Sequence, residues 1–259
     1  MPTKIEAAAE AIFNARTQRH PIRPIRETFD VRSAPDAYAV QELNTRRHLQ
    51  NGRTLAGRKI GLTAKSVQRQ MGVDEPDYGM LWRDTEYRSG EKAPAETLIQ
   101  PRIEGEIAFV LERDITKMDI SLTDLIRSVA YALPAIEIVD SAISGWDIQL
   151  ADTIADNASA GGYVIGNDPM TLDRLDLRLC GMVISSAADG IVSIGAGAAC
   201  LDHPLYSLQW LARKMIDLGR PLQAGDLVLS GALGPMVPAQ ENNTYLVEIQ
   251  GFSPLMVSF

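Results

Sequence analysis

Apolar and polar positions along the chain separate into helical and extended stretches. Ile5, Ala8, Ala9, Ile12 and Phe13 recur at i, i+3, i+4, i+7 and i+8, which predicts a first helix. Pro21 and Pro24 break the chain, and Ser33-Ala-Pro-Asp36 reads as the start of a second helix, with Ser33 as N-cap. That helix is expected to run to about Gln50, where Asn51-Gly52 stops it. A strand is expected over Leu55–Leu62, then a short helix from about Ala64 to Met71 with Thr63 as N-cap and Gly72 as its stop. Val73–Gly79 reads as a loop. A third apolar stripe, Leu122, Leu125, Ile126, Val129 and Ala130, predicts a helix that Pro134 separates from a strand over Ala135–Val139. Asp152–Gly162 is small and polar, a turn or a connection.

The C-terminal third reads mostly as sheet. Leu175–Ile184 and Ile191–Ile194 form a hairpin around Ala188-Asp-Gly190, and further strands are expected at Leu227–Leu229 and Tyr245–Ile249. One helix starts near Asp202 and Pro204, buries Leu208, Leu211, Ala212, Met215 and Ile216, and ends at Gly219. Strands and helices do not alternate regularly, so the expected class is α+β with a strongly bent sheet or roll, not a Rossmann or TIM layout. Residues 1–259 are expected to form a single catalytic domain with 1–52 as a helical N-terminal cap.

The chemistry begins in Pro101–Val110. Ile103, Ile107, Phe109 and Leu111 share one parity; Glu104 and Glu106 share the other. On a strand, i and i+2 point to the same face, so two carboxylates stand side by side. Such a pair is ordinarily a solvated face with salt-bridge partners. If desolvated, it needs a positive charge between the carboxylates, and a divalent cation is the simplest. Oxygen ligands favour Mg²⁺, Mn²⁺ or Ca²⁺ over Zn²⁺. Glu137, in the middle of the apolar run Ala135–Val139, adds a third carboxylate. Lys59 lies between Gly57 and Gly61 on one strand face; by itself it reads as a surface lysine on a weak edge strand. Asp77 is either a turn aspartate bonding its own backbone or an acid/base held on a lid.

Composition removes other classes. The net charge is −8 with no block of basic residues, which argues against nucleic acid. Cys180 and Cys200 suggest no disulfide framework, and Cys200, in a run of small residues, is expected to be packed rather than reactive. No stretch approaches the roughly 20 apolar residues of a membrane span, and the N-terminus lacks a secretory-signal pattern, so the expected location is the cytoplasm.

Taken together, Gly57-Arg-Lys-Ile-Gly-Leu-Thr63, Met71–Gly79, Pro101-Arg-Ile-Glu-Gly-Glu106, Pro134–Ser141, Asp152–Ser159 and Gly195-Ala-Gly-Ala198 resemble the 2-keto-4-pentenoate hydratase group of the fumarylacetoacetate hydrolase superfamily. The resemblance implies a mixed β-roll with N-terminal helices, a cation (Mg²⁺ or Mn²⁺) on Glu104, Glu106 and Glu137, Lys59 and Asp77 as acid/base residues, and Ser159 near the substrate. It implies a 2-hydroxy-dienoate substrate from aromatic or sterol catabolism, and a homo-oligomer. The sister activity, decarboxylation of 2-oxo-3-hexenedioate, is the main alternative; Lys65 and Trp146 fit the hydratase pattern. An acylpyruvate-type C–C hydrolase would want a His-Glu pair, which His20, His48 and His203 do not supply. A non-catalytic subunit associating with a sister decarboxylase would not need these residues intact. Thr63-Ala64 and Ala142 depart from the Thr-Ser and the arginine common in relatives.

Overall fold

The computed structural model describes residues 1–259, the side chain of Met71 excepted. Its elements, in chain order, are α1 (Lys4–Gln18), α2 (Ile25–Thr28), α3 (Ala34–Gln50), β1 (Leu55–Gly61), α4 (Lys65–Met71), β2 (Asp77–Trp82), β3 (Glu86–Arg88), β4 (Pro101–Leu111), α5 (Leu122–Ser128), β5 (Val129–Asp140), α6 (Leu150–Ala155), β6 (Ala160–Ile165), β7 (Gly181–Ser186), β8 (Gly190–Ala196), α7 (Pro204–Asp217), β9 (Leu227–Leu229), β10 (Val237–Pro238), β11 (Thr244–Ile249) and β12 (Leu255–Ser258).

The strands build two sheets. A curled mixed sheet runs β2-β1-β9-β4-β5-β6-β3, with β10 beside β4, and a smaller one runs β12-β11-β7-β8. Strand alternation sorts β4 into two faces, as its pattern predicts. Ile103, Ile107 and Phe109 join the main core with Ile136 and Ile138 of β5, Met182 of β7, Val247 of β11 and Leu208 of α7. The opposite face carries a smaller apolar cluster, with Ala108, Leu133, Ala135, Tyr163 and Leu229. Glu104, Glu106 and Glu137 share the parity of that second face. Three carboxylates therefore continue an apolar row.

The N-terminal helices pack through Ala8, Ile12, Ile25 and Val40 onto Ile143 and, on α6, Ala151 and Ile154. Ion pairs fix the contact. Arg26 bonds Asp152 and Asp147, and Arg16 bridges Asp140 (2.9 Å) and Asp156 (2.8 Å). Gln41 of α3 donates to the carbonyls of Tyr78 and Ile154, tying β2 to α6. No helix is long and apolar enough to cross a membrane.

Several expectations are corrected. The third apolar stripe is shorter than predicted: α5 ends at Ser128, and Val129 and Ala130 already belong to β5. Leu122 and Ile126 are exposed. Pro134 does not separate helix from strand; it sits within β5 opposite Ile107. Ile107 turns its own N–H and C=O toward Ser230, so this is a pair without mutual hydrogen bonds. The missing N–H of Pro134 thus faces the end of β6, whose ladder starts only at Ala135–Ile165. Ala64, not Thr63, occupies the N-cap position of α4, without a side-chain bond. The first strand of the C-terminal hairpin begins at Gly181, not Leu175.

Candidate active site

The register of the sheet assembles the acidic cluster. Glu104 on β4 lies directly opposite Glu137 on β5, and Glu106 is two residues along the same face. Carboxylate oxygens from all three lie within 4.8 Å of one another. Glu106 and Glu137 are fully buried. Only one oxygen of Glu106 has a partner: Oε2 accepts the Gly231 N–H at 2.8 Å. Glu106 Oε1 and both oxygens of Glu137 accept no hydrogen bond. Orphaned buried carboxylate oxygens are costly, and converging ones form a ready ligand set for a hard divalent cation. The residues fit such an ion.

Gly231 has φ +105°, and a Cβ there would meet Thr63 Cγ2 at 2.4 Å. Glycine is required both for that backbone and for the close approach that delivers its N–H to Glu106. This partner had no signal in the sequence, because Gly231 is 125 residues away from Glu106.

Lys59 is not on an edge strand. β1 lies between β2 and β9, and the lysine is only 3 % exposed. Its Nζ stands 2.9 Å from Glu137 Oε1, outside hydrogen-bond direction, and donates to the Ala158 carbonyl at 2.9 Å. Its two flanking glycines serve different purposes. A Cβ at Gly57 would collide with the backbone of Leu227 on β9 at 1.8 Å. One at Gly61 would collide with Asp77 Oδ1 at 2.1 Å. The space beside the lysine is therefore taken by the aspartate.

Asp77 is not on a lid. It opens β2, pairs with Gly61 and is 1 % exposed. Thr153 of α6 donates to its Oδ2 at 3.3 Å, and Oδ1 has no partner. Ser159 ends a left-handed turn in which Asn157, Ala158 and Ser159 have φ of 59°, 50° and 55°. The Asn157 side chain grips both backbone groups of Met80 at 2.7 and 2.9 Å, which holds this uncommon turn in place. The turn aims the Ala158 carbonyl at Lys59.

One cavity of about 270 Å³ gathers these groups: Lys59, Asp77, Glu104, Thr153 and Ser159 line it. Glu106 and Glu137 complete the acidic cluster behind Glu104. Of the two hydratase-type residues, Trp146 lines the cavity; Lys65 is on the surface, paired with Asp202. Cys200 is buried, as expected, and burial pushes its thiol up to about 12.

The electrostatics are those of a site short of positive charge. Burial, then the charge of Glu137, pushes Glu104 up to about 7. Burial and the charges of Glu137 and Glu104 hold Glu106 well above the usual carboxylate range. Burial likewise raises Asp77. For Lys59, burial works to lower the pKa, but Glu137, Asp77, Glu104 and Glu106 outweigh it. The amine is thus held as an ammonium, not depressed toward a neutral shuttle.

A curled mixed sheet with a buried acidic cluster that could coordinate a divalent metal, beside a buried lysine, marks a candidate active site. The family described as fumarylacetoacetate (FAA) hydrolase C-terminal matches residues 38–258. The 2-keto-4-pentenoate hydratase of Paraburkholderia xenovorans is 46% identical over 258 residues, 100% of this chain and 96% of the relative. The 2-keto-4-pentenoate hydratase 1 of Dechloromonas aromatica is 48% identical over 254 residues, 98% of this chain and 96% of the relative. Among solved structures, the 4-oxalocrotonate decarboxylase from Pseudomonas putida G7, complexed with magnesium and adipate, superposes with a TM-score of 0.94 at 32% identity, covering 98% of this chain and 97% of that one. The chain belongs to the fumarylacetoacetate hydrolase family, within its 2-keto-4-pentenoate hydratase group.

Proposed function

We propose that this protein is a divalent-metal-dependent hydro-lyase that adds water to 2-hydroxypenta-2,4-dienoate, or a close homologue, to give a 4-hydroxy-2-oxo acid in aromatic or sterol catabolism. The observation that carries the reading is the three-carboxylate cluster beside Lys59 and Asp77, in which Glu106 Oε1 and both Glu137 oxygens accept no hydrogen bond, in a chain 46% identical over its whole length to a hydratase. Glu104, Glu106 and Glu137 would hold Mg²⁺ or Mn²⁺. A cation there supplies Lewis acidity toward the carboxylate and 2-oxygen of the substrate.

The remaining work falls to side chains. Lys59, fixed as a donor, is positioned to hydrogen-bond the substrate oxygen that carries negative charge. Asp77, whose carboxyl burial raises above its usual range, is placed to give a proton to C5 of the dienol while the 2-hydroxyl releases its own proton to become a ketone. Its carboxylate then takes a proton from the water adding at C4, and the proton released by the 2-hydroxyl is returned at C3, so that water is the only species consumed. C4 and C5 are adjacent, so one carboxyl can serve both transfers. Ser159 offers a hydroxyl to the bound substrate. The chain acts as one catalytic unit, with residues 1–52 as a cap whose Arg16 and Arg26 buttress the turn and helix behind the cavity. Ile191 and Ile194, 63% and 65% exposed on strand β8 at the edge of its sheet, support a homo-oligomer; sedimentation equilibrium tests it.

The test is loss of the dienol ultraviolet absorbance with Mg²⁺ and with chelator, followed by product identification. Metal-dependent formation of 4-hydroxy-2-oxopentanoate is expected. The decarboxylase reading is kept open by the 0.94 superposition; carbon dioxide released from 2-oxo-3-hexenedioate, with no hydration product, would replace the hydratase.

A further inference from the structure

The cavity is polar at its floor and mostly apolar at its mouth. Lys59 and Asp77, at the floor, are 3% and 1% exposed. Val67 and Met236, which also line it, are 36% and 37% exposed and so mark the opening. Trp146 and Ile148, half-buried, complete the collar. Among the described lining residues the only cation is Lys59, at the floor and already engaged with Ala158 and Glu137. A nearby guanidinium, Arg102, touches two collar residues but does not itself line the cavity. It stacks 4.1 Å from the Trp146 ring centroid and points an N–H at Met236 Sδ, 3.6 Å away.

We infer that the collar of Val67, Trp146, Ile148 and Met236 determines specificity for the substrate's tail, selecting uncharged alkyl ends over a second carboxylate. The inference rests on the proposed function for the orientation of the substrate, with its carboxylate and 2-oxygen at the acidic cluster. From there the carbon chain runs outward past these four side chains, with Ser66 and Pro235 also exposed on the lining. A methyl or ethyl end would bury apolar surface against them. A terminal carboxylate would lose water to largely apolar walls that hold no cation beyond Lys59 at the floor. The half-open mouth leaves room for an end longer than that of a pentadienoate.

A matched pair of stable ligands tests this: 2-oxohexanoate and 2-oxoadipate have the same carbon count and differ only in the terminal methyl or carboxylate. Calorimetric titration of the full chain with Mg²⁺ present should show 2-oxohexanoate binding more tightly, by on the order of 10- to 100-fold. Met236→Lys and Val67→Lys, at half-exposed positions that tolerate a charge, should each narrow the gap by about threefold or more. Equal or tighter binding of 2-oxoadipate to the unmodified protein would overturn the inference. Loss of that binding in Arg102→Met would then assign the tail to Arg102. Failure of both ligands to bind would overturn it as well. Hydration of 2-hydroxypenta-2,4-dienoate is measured separately, so a reversed ligand order with hydration intact sinks only the collar, and a retained order without hydration sinks only the hydratase reading.

Discussion

The acidic cluster makes the stability of the metal-free protein depend on pH in a direction opposite to that of most buried ion pairs. Glu104 ordinarily ionises near 4.5 and is pushed up to about 7, burial being the largest cause. A carboxyl raised on folding binds more protons folded than unfolded, so stability falls as pH rises. The contribution is fully present below about 4.5 and is lost as pH passes through about 7. At roughly 1.4 kcal/mol per pH decade, the ionised form costs about 3 kcal/mol, trimmed to about 2–3 kcal/mol by solvent at this partly exposed residue. For a chain of this length that is a drop in Tm of roughly 5–10 °C between pH 5 and pH 8. Glu106, raised by the same burial and the same neighbours, acts in the same direction. Mg²⁺ competes with those protons, so its stabilisation should grow with pH, small at pH 5 and largest at pH 8. Differential scanning calorimetry with chelator and with saturating Mg²⁺ measures both slopes, and Glu104→Gln should flatten the metal-free one. An equal rise in Tm with Mg²⁺ at pH 5 and pH 8, or an unchanged slope in Glu104→Gln, would refute the reasoning.

Glu106→Gln should abolish metal-dependent turnover while circular dichroism reports an intact fold; full activity under chelation would end the metal reading. Lys59→Met should lower kcat by about 10²–10⁴ with Mg²⁺ affinity retained, measured by steady-state kinetics and metal titration. Gly61→Ala places a Cβ 2.1 Å from Asp77 Oδ1; kcat should fall at least about tenfold, and Tm should drop with a destabilisation of about 1–3 kcal/mol. Gly231→Ala should weaken Mg²⁺ binding, because displacing that backbone removes the N–H on Glu106; calorimetric titration reads it.

Periodicity, with cap, proline and glycine signals for the second and last, located the helices that run over 4–18, 34–50 and 204–217, and alternation gave the two faces of the central strand, because apolar spacing follows directly from helix and strand geometry. The same alternation set Glu104 and Glu106 on one face, and their hard carboxylate oxygens named the class of ion they suit. Motif resemblance carried Lys59, Asp77 and Ser159, and one cavity brings them together. What the residues could not tell was their surroundings. Lys59 looked like a surface residue because nothing local announces that β9, from 170 residues later in the chain, pairs beside it through Gly57. Asp77 read as a loop residue because Pro76 and Gly79 flank it; only the pairing with Gly61 makes it a buried strand residue. Pro134 read as a break because a proline forfeits a ladder bond, and the register alone shows that this bond is not missed. The N–H of Gly231 on Glu106 and the Asn157 clamp on Met80 are long-range hydrogen bonds, which no pattern along the chain encodes. Local spacing thus determined the elements and their ligand types, whereas strand order, register and the choice between burial and exposure were decided by contacts between segments distant in sequence.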